Sequence, residues 1–402
     1  MSNIEELIEQ LCPEGVEYRE MGEFGELIRG NGLPKNDFAE SGIGCIHYGQ
    51  IYTYFGIFAY KTKTFVSSEL SAKLKRVQKN DLIIATTSEN LEDVCKTVAW
   101  LGDDEIVTGG HATIFKHKQN AKYLAYYIKT QHFFDQKKKY ARGTKVIEIK
   151  ATDIAKISIP IPPLAIQQKI VNILDKFTQL QAELEAELQA RRTQYEYYRN
   201  QLLMVNDEGL MVNGVKVEWK TLGDVCLSIS AGGDVPKNYK KGQTIPSIEY
   251  PYPIFANATD VKGLYGYTDN YKIENDAVTI SARGAKIGYH TIREAKFTAI
   301  IRLISLIPNK DIITTKFLNY ILDMTSIAGT EGGIPQLTVP SVKKIKIPIP
   351  PLAEQERIVA ILDKFDQLVN DKTEGLPAEI EARRKQYEYY RGKLLDFKRM
   401  NN

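Results

Sequence analysis

The stretch IPIPPLA occupies residues 159–165, and the same seven letters return at 347–353. A proline-rich heptapeptide does not recur by chance in a chain of 402 residues. Its continuation is repeated too: IQQKIVNILDKF (166–177) against EQERIVAILDKF (354–365). Further along, ARRTQYEYYRNQLL (190–203) matches ARRKQYEYYRGKLL (382–395), and upstream VEYREMGE (16–23) echoes VEWKTLGD (217–224). Self-similarity on this scale marks an internal duplication. The order is globular segment, long helix, globular segment, long helix. The expected boundaries are 1–157, 158–205, 206–345 and 346–402.

The helical segments carry a clear period. In the first copy the apolar positions Ile170, Ile173, Phe177, Leu180, Leu184, Leu188, Tyr195, Tyr198 and Leu202 advance mostly in steps of three and four. That places them on one helix face, close to a coiled-coil seam. The second copy supplies a partner stripe through Ile358, Ile361, Phe365, Leu368, Ile380, Tyr387, Tyr390 and Leu394. The prolines explain the shared opening. Proline suits a helix's first turn but not its interior, and it pushes the preceding residue to extended geometry. IPIPP therefore predicts a strand that stops abruptly where a helix begins, and Leu164–Leu203 as one helix predicts a length of about 60 Å. Between DKF and ARR the first copy has TQLQAELEAELQ and the second DQLVNDKTEGLPAEIE, four residues longer. Gly375 and Pro377 in that insertion predict a break or kink.

Composition narrows the function. The chain is 43% hydrophobic and 26% charged, with a net charge of +3, so an acidic partner must be met by local patches. The start is acidic and lacks an apolar core, unlike a signal peptide. The most apolar run, Ala299 to Ile307, is short and interrupted by Arg302, so no membrane span is expected. Four scattered cysteines without a CxxC pair read as reduced thiols, not a disulfide frame or a zinc site.

The globular segments, about 16–156 and 217–344, diverge past their shared opening. Runs such as DLIIAT (81–86) and DAVTISA (276–282) read as strands, and KYLAYYIKTQHFF (122–134) and TTKFLNYILD (314–323) as short helices. Loops mixing glycine, hydroxyl, basic and aromatic residues recur in both halves: HYGQIYTYFG (47–56), TGGHAT (108–113) and KKKYARGTK (137–145), then FANATD (255–260) and SARGAKIG (281–288). Lys129, Lys137, Lys138, Lys139, Arg142, Lys145 and Lys150 form a basic cluster around Tyr140, as a phosphate backbone would require, or a solvated charged face. His111 could donate to a base edge or be a satisfied core histidine. Arg283 and Lys286 stand among glycines that allow close approach, where a bidentate guanine contact is possible, or a plain surface loop. The tyrosine clusters at 195–198 and 387–390 could stack on bases, but their helical spacing favours packing. No Walker A loop, HExxH, methyltransferase tetrad or nuclease carboxylate constellation occurs, so no catalytic centre and no metal site are expected.

Two divergent segments, each followed by IxIPIPPLAxQ and an ILDKF…QYEYYR helix, resemble the specificity subunit of type I restriction-modification systems. The tandem tetrapeptide QAEL-EAEL (181–188) is similar to the IC subgroup in particular. The resemblance implies an α+β fold: two mixed α/β target recognition domains separated by two long helices packed as an antiparallel coiled coil, with internal pseudo-twofold duplication. It implies a non-catalytic cytoplasmic subunit, with each domain reading one half of an asymmetric split DNA target and the helices setting the spacer. Its partners would be double-stranded DNA and two modification (methyltransferase) subunits, with two restriction subunits able to join. No cofactor is expected in this chain; S-adenosylmethionine and ATP with Mg belong to the partner subunits. Carried over by position, the DNA-facing residues would be Tyr48, Gln50, Ser88, His111, Arg142 and Lys145 in the first half. In the second they would be Lys237, Asn257, Arg283, Lys286 and Gln336. Phe177, Leu184, Tyr195, Tyr198, Phe365, Tyr387 and Tyr390 would form the coiled-coil or partner interface. A coiled-coil adaptor without sequence readout and a nuclease with an unfamiliar site are the alternatives.

Overall fold

The computed structural model describes residues 2–211, 213–257, 263–284, 287–325, 327 and 336–400. The chain divides into two units, Met1–Glu185 with Ile380–Asn402 and Ala186–Glu379.

The first unit is built on two sheets. One runs in the order Gly25–Arg29, Ala112–His117, Leu82–Ala85, Thr97–Trp100, Phe58–Ala59. Its middle strands are apolar on both faces: Leu82, Ile83, Ile84 and Ala85 are all fully buried, as expected of a strand covered on both sides. The other sheet runs Thr64–Val66, Ile43–Ile46, Ile106–Thr108, Lys75–Val77. The helix Ala121–Ile128 closes the core, with Tyr123, Tyr126 and Tyr127 buried.

The second unit repeats the first four strands of the first sheet in order: Cys226–Ala231, Ile304–Pro308, Ala277–Ile280, His290–Arg293. In its second sheet, Leu264–Thr268, Tyr252–Phe255 and Thr298–Ala299 take the places of Thr64–Val66, Ile43–Ile46 and Ile106–Thr108. In each unit the last two of these run parallel. The fringes differ. Phe58–Ala59 and Lys75–Val77 edge the first unit's two sheets, and Tyr239–Lys241 edges the opposite end of the second unit's second sheet.

The sequence echoes meet in space. Tyr18–Glu20 pairs antiparallel with Ser158–Pro160, and Glu218–Thr221 with Lys346–Ile349. IPIPP thus begins in a strand, Ser158–Pro160 or Lys346–Ile349, and reaches a helix start within a few residues, and the VE-aromatic-basic echo is the strand's partner. One 40-residue helix, Leu164–Leu203, follows the first copy. The second is interrupted: Leu352–Asn370 and Leu376–Leu394 have 19 residues each, separated by Asp371–Gly375. The four extra residues are absorbed by this break rather than adding a helical turn. The Asp371 carboxylate caps the break by accepting from the Thr373 amide at 2.6 Å. A Cβ on Gly375 would lie 2.5 Å from the Gln367 carbonyl oxygen, so only glycine fits there.

Candidate nucleic-acid interface

The repeated motif is a joint between globular part and helix. Gln167, two residues after PPLA, is fully buried. Its Oε1 accepts from the Asn120 amide at 3.0 Å, and its Nε2 donates to the Pro162 carbonyl at 2.7 Å. Asn120 is the N-cap of the helix Ala121–Ile128. Gln355 does the same in the second unit: it is fully buried, accepts from the Thr314 amide at 3.0 Å and donates to the Pro350 carbonyl at 2.9 Å. Thr314 is the N-cap of Thr315–Asp323. A second latch lies two turns further on. Asp175 accepts from Lys122 Nζ at 2.7 Å and Tyr126 Oη at 2.8 Å; Asp363 accepts from Lys316 and from Tyr320 Oη at 2.7 Å. These charge-assisted bonds, part-buried at Lys122 and exposed at Lys316, help hold each globular part against its helix. The sequence reading assigned no role to these glutamines and aspartates or to the Lys and Tyr residues that meet the aspartates. Their signal was present, since glutamine, ILDKF aspartate and the Lys-aromatic-Leu-x-Tyr run recur in both halves.

The aromatic stripes pair in the same reciprocal way. In the first unit Phe177 stacks on Tyr390 with centroids 5.4 Å apart and lies 6.4 Å from Tyr387. In the second, Phe365 stacks on Tyr198 at 5.5 Å and lies 6.4 Å from Tyr195. Each ILDKF phenylalanine thus meets a QYEYYR cluster, and Leu184 on the same helix is half-buried.

In the first unit the six candidate DNA-facing residues sit on segments tied to one another at the end of the sheet. Tyr48 opens the short helix Tyr48–Thr53, and its ring lies 5.1 Å from that of His111. Tyr52 on the same helix donates to the Thr87 carbonyl at 2.7 Å. The Thr86 amide donates to the His111 carbonyl at 2.9 Å, and the Ile149 amide to the Thr86 carbonyl at 3.0 Å. Ser88 pairs with Ile147, which extends the hairpin closed by the bridge between Arg142 and Glu148. Gly143 has φ +106° and a Cβ there would meet the Val146 carbonyl, so the hairpin turn requires glycine. Arg142 and Lys145 are exposed on it. His111 is exposed with φ 62°, a conformation uncommon for a side-chain-bearing residue.

Gln50 is already engaged. Its Oε1 accepts from the His47 amide at 3.0 Å and its Nε2 donates to Thr64 Oγ1 at 3.0 Å. It caps its helix rather than projecting a free amide. His47 beneath it is buried; burial, then Lys35 and His111, push its pKa below the usual histidine value. The basic cluster also needs correction. Lys137 is only 5% exposed, and its ammonium donates to the carbonyls of Glu92 at 2.8 Å and Val94 at 2.6 Å. It is a core strut, because two carbonyls satisfy it away from water. Lys138 and Lys139 remain on the surface.

In the second unit Asn257, Arg283 and Gln336 come together. Asn257 accepts from the Ala282 amide at 2.6 Å and donates to the Arg283 carbonyl at 3.0 Å. Arg283 Nη2 donates to Gln336 Oε1 at 2.7 Å, and the two residues form a β-bridge. Lys237 is exposed before the strand Tyr239–Lys241, and no hydrogen bond or ion pair links it to the trio among the described residues. Lys286 lies outside the described residues.

Hydrogen-bond register aligns the two sites. The Leu337 amide donates to the Ala282 carbonyl as Ile149 does to Thr86. Arg283 and Gln336 therefore occupy the places of Thr87 and Glu148. The parallel pairs, Ile46 with Thr108 and Phe255 with Ala299, put Asn257 where Tyr48 stands. At three equivalent positions the frame is kept and the side chain is replaced.

Comparison with known proteins agrees with this duplication. The pattern described as "Type I restriction modification DNA specificity domain" matches residues 13–191 and again 215–382. A Mycoplasma pneumoniae protein named as a candidate type I specificity subunit is 33% identical over 307 residues, covering 72% of this chain and 85% of that protein. The EcoR124I/EcoR124II specificity subunit of Escherichia coli is 38% identical over 267 residues, covering 60% of this chain and 63% of its own. A solved S subunit from M. genitalium superposes with a TM-score of 0.54 at 16% identity, covering 95% of this chain and 96% of the other. A chain from a type I restriction-modification assembly superposes with a TM-score of 0.58 at 18% identity, covering 95% and 97%. At these identities the likeness shows the fold alone. With its domain pattern present twice, the chain belongs to the type I restriction-modification DNA specificity family.

Proposed function

We propose that this chain is the sequence-reading subunit of a type I restriction-modification complex, with each unit reading one half of a bipartite, asymmetric DNA target. The observation that carries this is the pair of aligned sites. The same backbone frame bears Tyr48, Thr87 and Glu148 in one unit and Asn257, Arg283 and Gln336 in the other. Two readers with one scaffold and different side chains suit two different half-sites, whereas a symmetric dimer would read a palindrome. Exposed Arg142 and Lys145 on the first unit's hairpin and Lys237 in the second supply positive charge for backbone phosphates. Lys286 is assigned to the same role from its sequence position.

The helices act as the ruler between the readers, with the joints at Gln167 and Gln355 holding each reader at a fixed angle to its helix. Chemistry belongs to the partners: two modification subunits that bind S-adenosylmethionine, and restriction subunits that use ATP and Mg. Among the described residues no group of three or more His, Cys, Asp or Glu side chains could hold a metal ion, and no helix is long and apolar enough to cross a membrane. A cytoplasmic location follows from the DNA target. The tandem QAEL-EAEL supports the IC subgroup.

Methylome sequencing of cells carrying the modification subunit, with and without this chain, tests the reading. One asymmetric split motif methylated only in the presence of this chain is the expected result. Methylation that is unchanged, or that falls on a palindrome, would sink it.

A further inference from the structure

Arg302 interrupts an apolar run in the sequence and drew no role there. In the fold it occupies the position of His111. Three registers fix this. Thr113 pairs with Arg29 as Ile304 pairs with Ala231. The Gly30 amide donates to the Ala112 carbonyl at 2.9 Å, and the Gly232 amide to the Leu303 carbonyl at 2.8 Å. Gly109 bridges Asn31 as Ile300 bridges Gly233. In this register Ala112 matches Leu303, and the residues just before them are His111 and Arg302.

Both carry left-handed backbone, φ 62° and φ 59°. Glycine fits such a position without strain, whereas a side chain there costs about 1 kcal/mol. Both units carry that cost at the same place, with different side chains. Both are exposed. His111 belongs to the notch formed with Thr86 and Tyr48, and Arg302 holds the equivalent register position in the second unit, where Ala282 and Asn257 stand in place of Thr86 and Tyr48.

The guanidinium of Arg302 makes no hydrogen bond or ion pair among the described residues, whereas Arg283 already donates to Gln336. A second cation shares the turn: Lys272 Nζ lies 3.9 Å from where a Cβ on Gly233 would stand. An exposed, uncommitted guanidinium with two parallel donors matches the O6 and N7 acceptors of guanine, the commonest specific base contact.

We propose that Arg302 is the base-reading residue of the second unit and takes a guanine edge in the half-site that this unit reads. This rests on the reading that this end of the sheet faces DNA.

The test uses the complex assembled with its methyltransferase subunit. The substrate is a plasmid library that keeps the first unit's half-site and randomises the other, with methylation read by single-molecule sequencing. The variants are R302G, R302K, N257A and, as a surface control, K344A. Glycine suits φ 59°, so R302G keeps the turn and melts with the wild type; R302N, also tolerated there, serves if it does not. R302G should lose roughly tenfold of its guanine preference at one position of the randomised half-site, and R302K should not restore it. If N257A relaxes the second half-site while R302G leaves it intact, Arg302 is not the reader and the DNA-facing site stands. A uniform loss of methylation with preference intact puts Arg302 on a phosphate and also overturns the proposal. If R302G and N257A both behave like K344A, this end of the sheet does not face DNA and the underlying reading falls with it.

Discussion

In the first unit the amide of Thr86 is held by the backbone carbonyl of His111; in the second the equivalent amide, Ala282, is held by the side chain of Asn257. One bond is independent of side chain and the other depends on it entirely. The joints behave oppositely. Gln167 and Gln355 make the same bonds to the same kinds of partner in both units. The contrast shows where the duplicated chain is constrained. Residues that connect a reader to its helix are held fixed by burial and hydrogen bonding. Residues at the far end of the sheet differ between the units on a shared strand register, and in the second unit the Asn257 side chain takes over a bond that backbone makes in the first.

The largest expected effect separates the units. Reversing the charge of Lys137 puts a carboxylate against two carbonyls in the first unit's core, costing about 5 kcal/mol. The helix that carries it, Gln131–Lys137, has no counterpart among the second unit's described residues. Urea unfolding followed by fluorescence can assign the loss, because the two tryptophans, Trp100 and Trp219, lie one in each unit. K138E, K139E and R142E should instead leave stability unchanged and weaken DNA binding by the assembled complex, with a shallower salt dependence. Weakened stability in these three would break the distinction between strut and surface.

Replacing Gln167 or Gln355 by leucine should cost about 4 kcal/mol in either unit, since a buried amide and a buried carbonyl lose their partners together. Unequal losses on the same unfolding assay would show that the joints are not equivalent.

The units should also respond to pH in opposite directions. Burial pushes the His117 pKa down to about 4, against a Gln119 amide bond that raises it. Its contribution is therefore present above the unfolded value near 6.5 and is lost as pH falls toward 4, a change of about 3 kcal/mol. His290 goes the other way. Burial lowers its pKa, but hydrogen bonds to Asp323, Gly288 and Asn319 outweigh that and hold it above the usual value. Its contribution is present below the unfolded value and is lost as pH rises through the folded one. Denaturant melts of wild type, H117Q and H290Q between about pH 5 and pH 8, read with each tryptophan alone, check both signs. Flattening of the acid loss by H117Q is the expected result for the first unit.

The smallest effect sharpens the similarity. F177L and F365L each remove one aromatic stack and should cost about 1 kcal/mol, the same in both units. A double-mutant cycle of F177L with Y390L, against F365L with Y198L, measures whether the two stacks couple equally.

The repeated segments were legible because repetition itself is a signal. The strand at IPIPP, the helix from Leu164 and the interruption before Leu376 follow from proline and glycine chemistry. The ends of the sheets were not legible in the same way. TGGHAT and AIIRLI share no letters that would align His111 with Arg302; only hydrogen-bond register does so. Lys137 was misplaced because a run of lysines reads as a solvated face, and nothing local announces that two carbonyls wait inside for one of them. Gln50 was carried over by position as a DNA-facing residue, and nothing local announces that the chain turns back so that Thr64 meets its amide. Long-range pairing decides such positions.

Val16 forms a parallel bridge with Arg399. Its amide donates to the Lys398 carbonyl at 2.8 Å, and its carbonyl accepts from the Met400 amide at 3.0 Å. Tyr18 Oη donates to the Phe397 carbonyl at 3.1 Å. The first unit is thus completed by residues made after the whole of the second unit. On a ribosome adding about 5–20 residues per second, residues 16–185 would wait roughly ten to forty seconds for those partners. The second unit has a contiguous sequence from Ala186 to Glu379 and faces no such delay. Assembly would therefore finish in the reverse of the order of translation. A nascent chain halted near residue 380 would hold one finished reader and one still open along the edge that Lys398–Met400 later covers.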